Sequence, residues 1–170
     1  MSRKGFTLIE VLIVVGIIGV VLGVAVPGLI HARRLGRETA AIAALRALNN
    51  AQAGYSSACG REAYATQFTT LGVAPPGSLT AFLSPDLTAS DTPIKSGYEY
   101  TLAPGMEGSP GPDDCNSTPT NTTYYATAVP VSGSGMRAFA TSQDRYIWQD
   151  TSGVAPPEPL EAGETISKVQ

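Results

Sequence analysis

The pattern of apolar and polar positions divides the chain into three segments. The first, residues 6–30, is a run of twenty-five residues whose only charged side chain is Glu10. At 1.5 Å per residue a helix of this length measures about 37 Å, which is enough to cross a bilayer. The first segment is therefore predicted to be a transmembrane helix.

The second segment, residues 31–59, is rich in alanine and keeps a helical pattern. Its large apolar residues recur at mostly helical spacing: Leu35, Ile42, Leu45, Leu48 and Tyr55. Four arginines are expected on a solvated face or beside lipid phosphates: Arg33, Arg34, Arg37 and Arg46. We predict an amphipathic half-helix continuous with the first.

The third segment, residues 60–170, is rich in Pro, Gly, Ser and Thr and predicts a globular head. A loop-rich stretch extends to Pro93, and the tail from Gly153 carries three acids and little that packs, so we expect it to be mobile or to lie over the sheet. Strands are predicted at 98–102, 123–131, 136–141 and 145–149, with turns at 132–135 and 142–144. The predicted fold class is α+β: a long N-terminal α-helix packed against a small antiparallel β-sheet.

Charge and cysteine usage differ between the two halves of the chain. Residues 1–61 hold seven Lys or Arg and two acids, whereas residues 62–170 hold four and twelve. The basic half surrounds an apolar run and has few aromatics, so nucleic-acid binding is not predicted as the main role. Cys59 and Cys115 are too far apart for a CxxC motif and favour one structural disulfide, with two buried free thiols as the alternative.

The sequence offers no catalytic or metal-binding cluster. The single histidine, His31, falls where the apolar run ends, and no nucleophile or other metal ligand accompanies it. Asp113 and Asp114 have oxygen atoms suited to calcium, but adjacent acids in a loop are usually solvated. We predict no enzymatic activity, no cofactor, no metal and no small-molecule substrate.

The residues before the apolar run set the orientation in the membrane. Arg3 and Lys4 predict a cytoplasmic N-terminus and a head outside the cytoplasm. An ordinary signal peptide cut after Ala25 is the alternative. The charge of Glu10 and the continuing helical pattern argue against it.

The stretch Lys4-Gly5-Phe6-Thr7-Leu8-Ile9-Glu10, followed by an apolar run, resembles the class III leader of type IV pilins and type II secretion pseudopilins. This resemblance implies that a prepilin peptidase removes residues 1–5 by cutting between Gly5 and Phe6. It also implies that the new Phe6 amine is then methylated. A cut at this point keeps the membrane helix on the mature protein.

Assembly residues are also implied by the resemblance. In this family the carboxylate at the position of Glu10 pairs with the N-terminal amine of a neighbouring subunit. Pro27 removes an intrahelical hydrogen bond and predicts a kink, and in pilins the matching glycine-to-proline stretch, here from Gly19 to Pro27, melts as subunits enter the filament. Gly19 and Gly23 also form a GxxxG spacing that permits close helix packing in lipid.

Three functions remain open from the sequence. The first is a structural subunit of a type IV pilus, which serves adhesion, motility or DNA uptake. The others are a pseudopilin of a type II secretion system and a membrane-anchored periplasmic binding or sensor module. Expected partners are copies of the chain or other pilins, the prepilin peptidase and methyltransferase, the inner-membrane assembly platform, and the lipid bilayer before assembly. The expected locations are the bacterial inner membrane, followed by a surface pilus or a periplasmic pseudopilus.

Overall fold

A computed structural model of the chain describes residues 5–131 and 136–169. The predicted turn at 132–135 and the basic leader residues Arg3 and Lys4 lie outside the described residues. The chain divides into two compact units, of which the first ends at Gly36 and the second begins at Arg37. We call them the N-terminal unit and the C-terminal unit.

The longest element is helix α1, Leu8–Ala58, which begins in the N-terminal unit and ends in the C-terminal unit. The backbone N–H of Glu10 donates a hydrogen bond to the hydroxyl of Thr7 over 3.3 Å, as at a helix N-cap. The long N-terminal helix predicted from the two helical segments is therefore confirmed.

The C-terminal unit contains a six-stranded sheet and two short helices. The elements follow in the order α2 Phe68–Leu71, α3 Pro85–Thr88, β1 Ile94–Lys95, β2 Tyr98–Pro104, β3 Tyr124–Pro130, β4 Ala138–Ser142, β5 Ile147–Asp150 and β6 Ile166–Lys168. Consecutive strands are neighbours, and every pair is antiparallel. The sheet is thus a meander, and the predicted α+β class is confirmed.

The core of this unit lies between the last five turns of α1 and one face of the sheet. Buried helix positions repeat every three or four residues: Ala41, Ala44, Leu45, Leu48, Ala51 and Tyr55. The core-facing positions of β3 alternate with outer ones, so that Tyr124, Ala126 and Ala128 join the same cluster. Burying one leucine such as Leu45 stabilises the fold by about 1.5–3 kcal/mol.

The structure corrects the predicted strand pattern at both edges of the sheet. Strands β1 and β6 were not predicted, and α2 and α3 lie in the stretch that was expected to be loop. Of the two expectations for the tail, the structure agrees with a tail that lies over the sheet, because Pro156 is buried and its carbonyl accepts a hydrogen bond from the Tyr125 hydroxyl. Tyr125 lies on the outer face of β3, so part of the tail covers that face, and β6 then pairs with β5.

Candidate functional site

The N-terminal unit presents the predicted processing point just before α1. Gly5 and Phe6 precede the helix and are exposed, and the Phe6 side chain is 77% exposed. Glu10 is also exposed and lies in the first turn of α1. The predicted cleavage bond and the predicted assembly carboxylate therefore lie close together in sequence on an exposed stretch of chain.

The apolar helix of this unit has no covering within the described part of the chain. An 18-residue window of α1 reaches a mean hydropathy of 2.9, and none of that window is buried. Its exposed side chains include Ile9, Leu12 and Val20, which are 65% exposed or more. A surface of this size needs lipid or another protein around it, which indicates membrane anchoring.

The same helix contains glycines at positions where no contact within the described part of the chain requires a small residue. A methyl group built on Gly16, Gly19 or Gly23 meets no atom of the described chain within 4 Å. These glycines therefore leave room for close approach by a neighbouring helix rather than for packing within the chain. Gly19 and Pro27 both fall inside α1, and the kink and the melting of this stretch stay predictions.

In the C-terminal unit an ion pair joins Glu38, in the middle of α1, to the sheet. The guanidinium of Arg137, just before β4, donates to Glu38 Oε2 from Nε over 3.0 Å and from Nη2 over 2.5 Å. The Arg137 backbone N–H donates to Glu38 Oε1 over 3.2 Å. The Glu38 side chain is 8% exposed and that of Arg137 is 36% exposed, so this pair locks α1 on β4.

A second polar group, Asn49, joins the C-terminal part of α1 to the sheet. The Asn49 side chain is buried, accepts a hydrogen bond from the Tyr124 hydroxyl over 3.0 Å and donates to Thr141 Oγ1 over 3.0 Å. Its amide also donates to the carbonyl of Arg145 over 3.2 Å. Because each polar atom has a partner, this buried network specifies one register of helix on sheet.

The predicted disulfide joins Cys59, at the end of α1, to Cys115 in the loop before β3. The Cys115 N–H donates to the Cys59 carbonyl over 3.0 Å. The neighbouring Asp114 is buried and accepts a hydrogen bond from the Tyr55 hydroxyl over 2.8 Å. Burial is the larger cause and the hydrogen bond to Asp114 the smaller cause of a raised pKa of Tyr55. The phenol therefore stays neutral and keeps its hydrogen bond to the Asp114 carboxylate.

The loop acids do not gather into a metal site within the described residues. No group of three His, Cys, Asp or Glu side chains comes together there. Asp114 Oδ1 accepts the backbone N–H groups of Asn116 and Thr118 over 2.8 and 2.7 Å. Its carboxylate therefore shapes its own loop, while Asp113 and His31 are exposed.

Sequence reasoning predicted the leader motif and the disulfide but missed the polar contacts that hold α1 on the sheet. Glu38 and Arg137 are 99 residues apart, and Asn49 and Thr141 are 92 residues apart. The one signal for Asn49 was a polar residue next to Leu48 on the apolar face of an otherwise amphipathic helix. Nothing in the local pattern marked Arg137.

The family model of the prokaryotic N-terminal methylation motif matches residues 1–26 of this chain. This match agrees with the resemblance to the class III prepilin leader of type IV pilins and pseudopilins. The α+β architecture that follows it is consistent with the pilin fold. No curated protein and no solved structure matches the chain. The motif, the apolar helix and the disulfide together characterise a processed, pilin-like protein, and the motif indicates a structural role.

Proposed function

We propose that this chain is a structural subunit of a bacterial type IV pilus, processed by a prepilin peptidase and assembled through its N-terminal helix. The observation that carries the proposal is the methylation motif over residues 1–26 followed directly by an apolar helix with no buried surface. A signal that only directs export is removed with its apolar run. Here the helix remains to serve as filament core.

Processing is proposed to begin while the chain spans the inner membrane. Arg3 and Lys4 keep the N-terminus in the cytoplasm, and the C-terminal unit lies outside it. The peptidase cuts between Gly5 and Phe6, and the Phe6 amine is methylated. The exposed backbone before α1 suits cleavage, because a protease needs an extended and accessible segment.

Assembly then transfers the helix from lipid to a bundle of like helices, delivered by the inner-membrane platform. The Glu10 carboxylate of one subunit meets the Phe6 amine of another, since an unpaired charge among apolar side chains is costly. The filament would serve adhesion, motility or DNA uptake. The C-terminal units form its surface and carry its contacts with the surroundings.

The decisive test is mass spectrometry of filaments sheared from cells. If the chain is a surface pilin, its N-terminal peptide in sheared material begins at a methylated Phe6. Absence from sheared filaments, with the cut form retained in the envelope, would instead assign the chain to a type II secretion pseudopilus. A cut or uncut form that never enters an assembly would favour a membrane-anchored binding or sensor module.

Gly5→Ala is expected to leave an uncut precursor in the membrane. Glycine at this position lets the protease approach the backbone closely, and an added methyl group obstructs that approach. The precursor is measured by mass spectrometry of the N-terminal peptide from membranes. Gly36→Ala is the matched control, because a methyl group there also meets no atom within 4 Å but lies far from the cut. Normal processing of Gly5→Ala would count against the leader assignment.

A further inference from the structure

We propose that the C-terminal unit binds an anionic sugar in a pocket between the end of α1 and the β4–β5 turn. The pocket has a volume of about 550 Å³, within the range of about 300–1,000 Å³ that is usual for small-molecule sites. Arg61 and Arg145 line it and supply the positive charge. The proposal does not depend on whether the chain assembles into filaments.

The charge of this pocket favours an anion. Arg61 and Arg145 form no ion pair within the described part of the chain, where the two ion pairs are Lys95 with Asp86 and Arg137 with Glu38. Glu62 is the acid that lines the pocket, so its net charge is positive. Arginine binds carboxylate and phosphate groups through two parallel N–H donors, which makes these groups the natural ligands.

Both arginines occupy backbone positions that normally belong to glycine. Arg61 and the adjacent Glu62 lie in the turn that follows α1, with φ angles of 52° and 71° in the left-handed region that favours glycine. Arg145 has a φ of 60° and follows a turn closed by a 2.9 Å bond from its N–H to the Ser142 carbonyl. A hairpin of this type usually has glycine at that position. The chain thus keeps two strained arginines at one pocket, and strain of this kind gathers at functional sites.

The arginines project from backbone that the fold holds in place. The carbonyl of Arg145 accepts a hydrogen bond from the buried Asn49 side chain over 3.2 Å. At the other end, the Glu62 N–H donates to the Ser56 carbonyl over 3.0 Å, and the Tyr64 N–H donates to the Asn121 carbonyl over 2.8 Å. Preorganised donors lose less entropy when a ligand binds.

The remaining walls suit the hydroxyl groups of a sugar better than a bare ion. Ser56, Tyr64 and Gln143 line the pocket with hydroxyl and amide side chains. The Tyr64 ring packs edge-on against buried Tyr124, with ring centroids 5.0 Å apart, which leaves its hydroxyl as a fixed polar point. A single phosphate ion would leave most of this volume and most of these groups unused.

The test is isothermal titration of the full mature chain in a polyoxyethylene detergent, whose head group contains no sugar. Glucuronate and glucose 1-phosphate are the anionic probes, and the tighter of the two identifies the carboxylate or the phosphate ester as the source of charge. Glucose and inorganic phosphate are the controls. We expect at least one anionic sugar to bind and glucose to give no measurable binding. Inorganic phosphate should bind at least about tenfold more weakly than the better sugar.

The variants Arg61→Gly and Arg145→Gly separate binding from folding. Glycine relieves the strain at both positions, so the thermal midpoint is expected to stay the same or rise. Each variant should still weaken binding by about tenfold or more, because one charge-assisted contact is lost. Arg46→Gln removes an exposed positive charge from α1 outside the pocket and should leave affinity unchanged.

Three results would overturn the proposal. They are no heat of binding with either anionic sugar, inorganic phosphate binding as tightly as the better sugar, and a loss of affinity in Arg46→Gln equal to that in the glycine variants. The first result means an empty surface cleft, the second a general anion site, and the third a nonspecific effect of net charge.

Discussion

Replacing both half-cystines with alanine, C59A/C115A, is expected to lower the free energy of unfolding of the C-terminal unit by about 4 kcal/mol. The disulfide closes a long loop, with a sequence separation of 56 residues, and so removes entropy from the unfolded chain. Urea unfolding of the full chain in non-ionic detergent measures the change. Trp148 in β5 is the chain's single tryptophan, so its fluorescence reports on the C-terminal unit alone.

Reduced wild-type chain is the control for the double variant. Dithiothreitol should shift the wild-type urea midpoint to that of C59A/C115A and should leave the variant itself unchanged. Two hydrogen bonds also hold this loop on the end of α1. The Tyr55 hydroxyl donates to Asp114 over 2.8 Å, and the Cys115 N–H donates to the Cys59 carbonyl over 3.0 Å. If the variant keeps the wild-type midpoint, these bonds fix the loop and the entropic argument fails.

The sequence predicted the strands that carry a side-chain pattern and missed those that carry none. In β2, buried Tyr98, Tyr100 and Leu102 alternate with exposed polar residues, and β3 concentrates aromatic and β-branched residues, which is enough to predict a strand in each. Strands β1 and β6 have two and three residues, too few for any alternation, and exist because an edge of the sheet is available to pair with. Predicted strand 145–149 begins two residues early, since Arg145 is in the left-handed region and only Ile147 starts β5.

The candidate sites divide in the same way between local and distant chemistry. Processing between Gly5 and Phe6 is a property of contiguous residues, so the local amino-acid sequence is enough to predict it. The anion pocket needs Arg61 and Arg145, which only the packing of α1 against the β4–β5 turn brings to one cavity. Asp114, one of the two loop acids considered as calcium ligands, accepts the backbone N–H groups of Asn116 and Thr118, which the local sequence does not predict.

The clamp between Glu38 and Arg137 illustrates why charge patterns mislead. An acid between arginines on an alanine-rich helix has the appearance of a solvated residue, and an arginine beside a turn does as well. Folding brings them together because the helix must lie along β4 for Leu45 and Leu48 to be buried. The carboxylate then becomes 8% exposed and needs the guanidinium as its partner. Which surface charges become structural is decided by apolar packing elsewhere.

Replacing Glu10 with alanine is expected to abolish incorporation into filaments while insertion and cleavage remain normal. Removing a carboxylate from an apolar helix makes insertion easier, by up to about 3 kcal/mol at the bilayer centre and less near its edge. The variant therefore accumulates in the membrane with Phe6 at its N-terminus. The measurement is the ratio of this peptide in sheared filaments to that in membranes, by quantitative mass spectrometry.

Thr7→Val is the control that separates assembly from helix capping, since the Thr7 hydroxyl accepts the Glu10 N–H over 3.3 Å. Loss of this cap costs the first turn of α1 about 1 kcal/mol, yet it leaves the Glu10 carboxylate free to meet an amine. If Glu10 serves assembly, Thr7→Val gives filaments, whereas Glu10→Ala and Glu10→Gln do not. An equal loss of filaments in Thr7→Val would mean that Glu10 acts only in starting the helix. A wild-type filament yield from Glu10→Ala would refute the pairing of the Glu10 carboxylate with the Phe6 amine of a neighbouring subunit, because assembly would then proceed without that carboxylate.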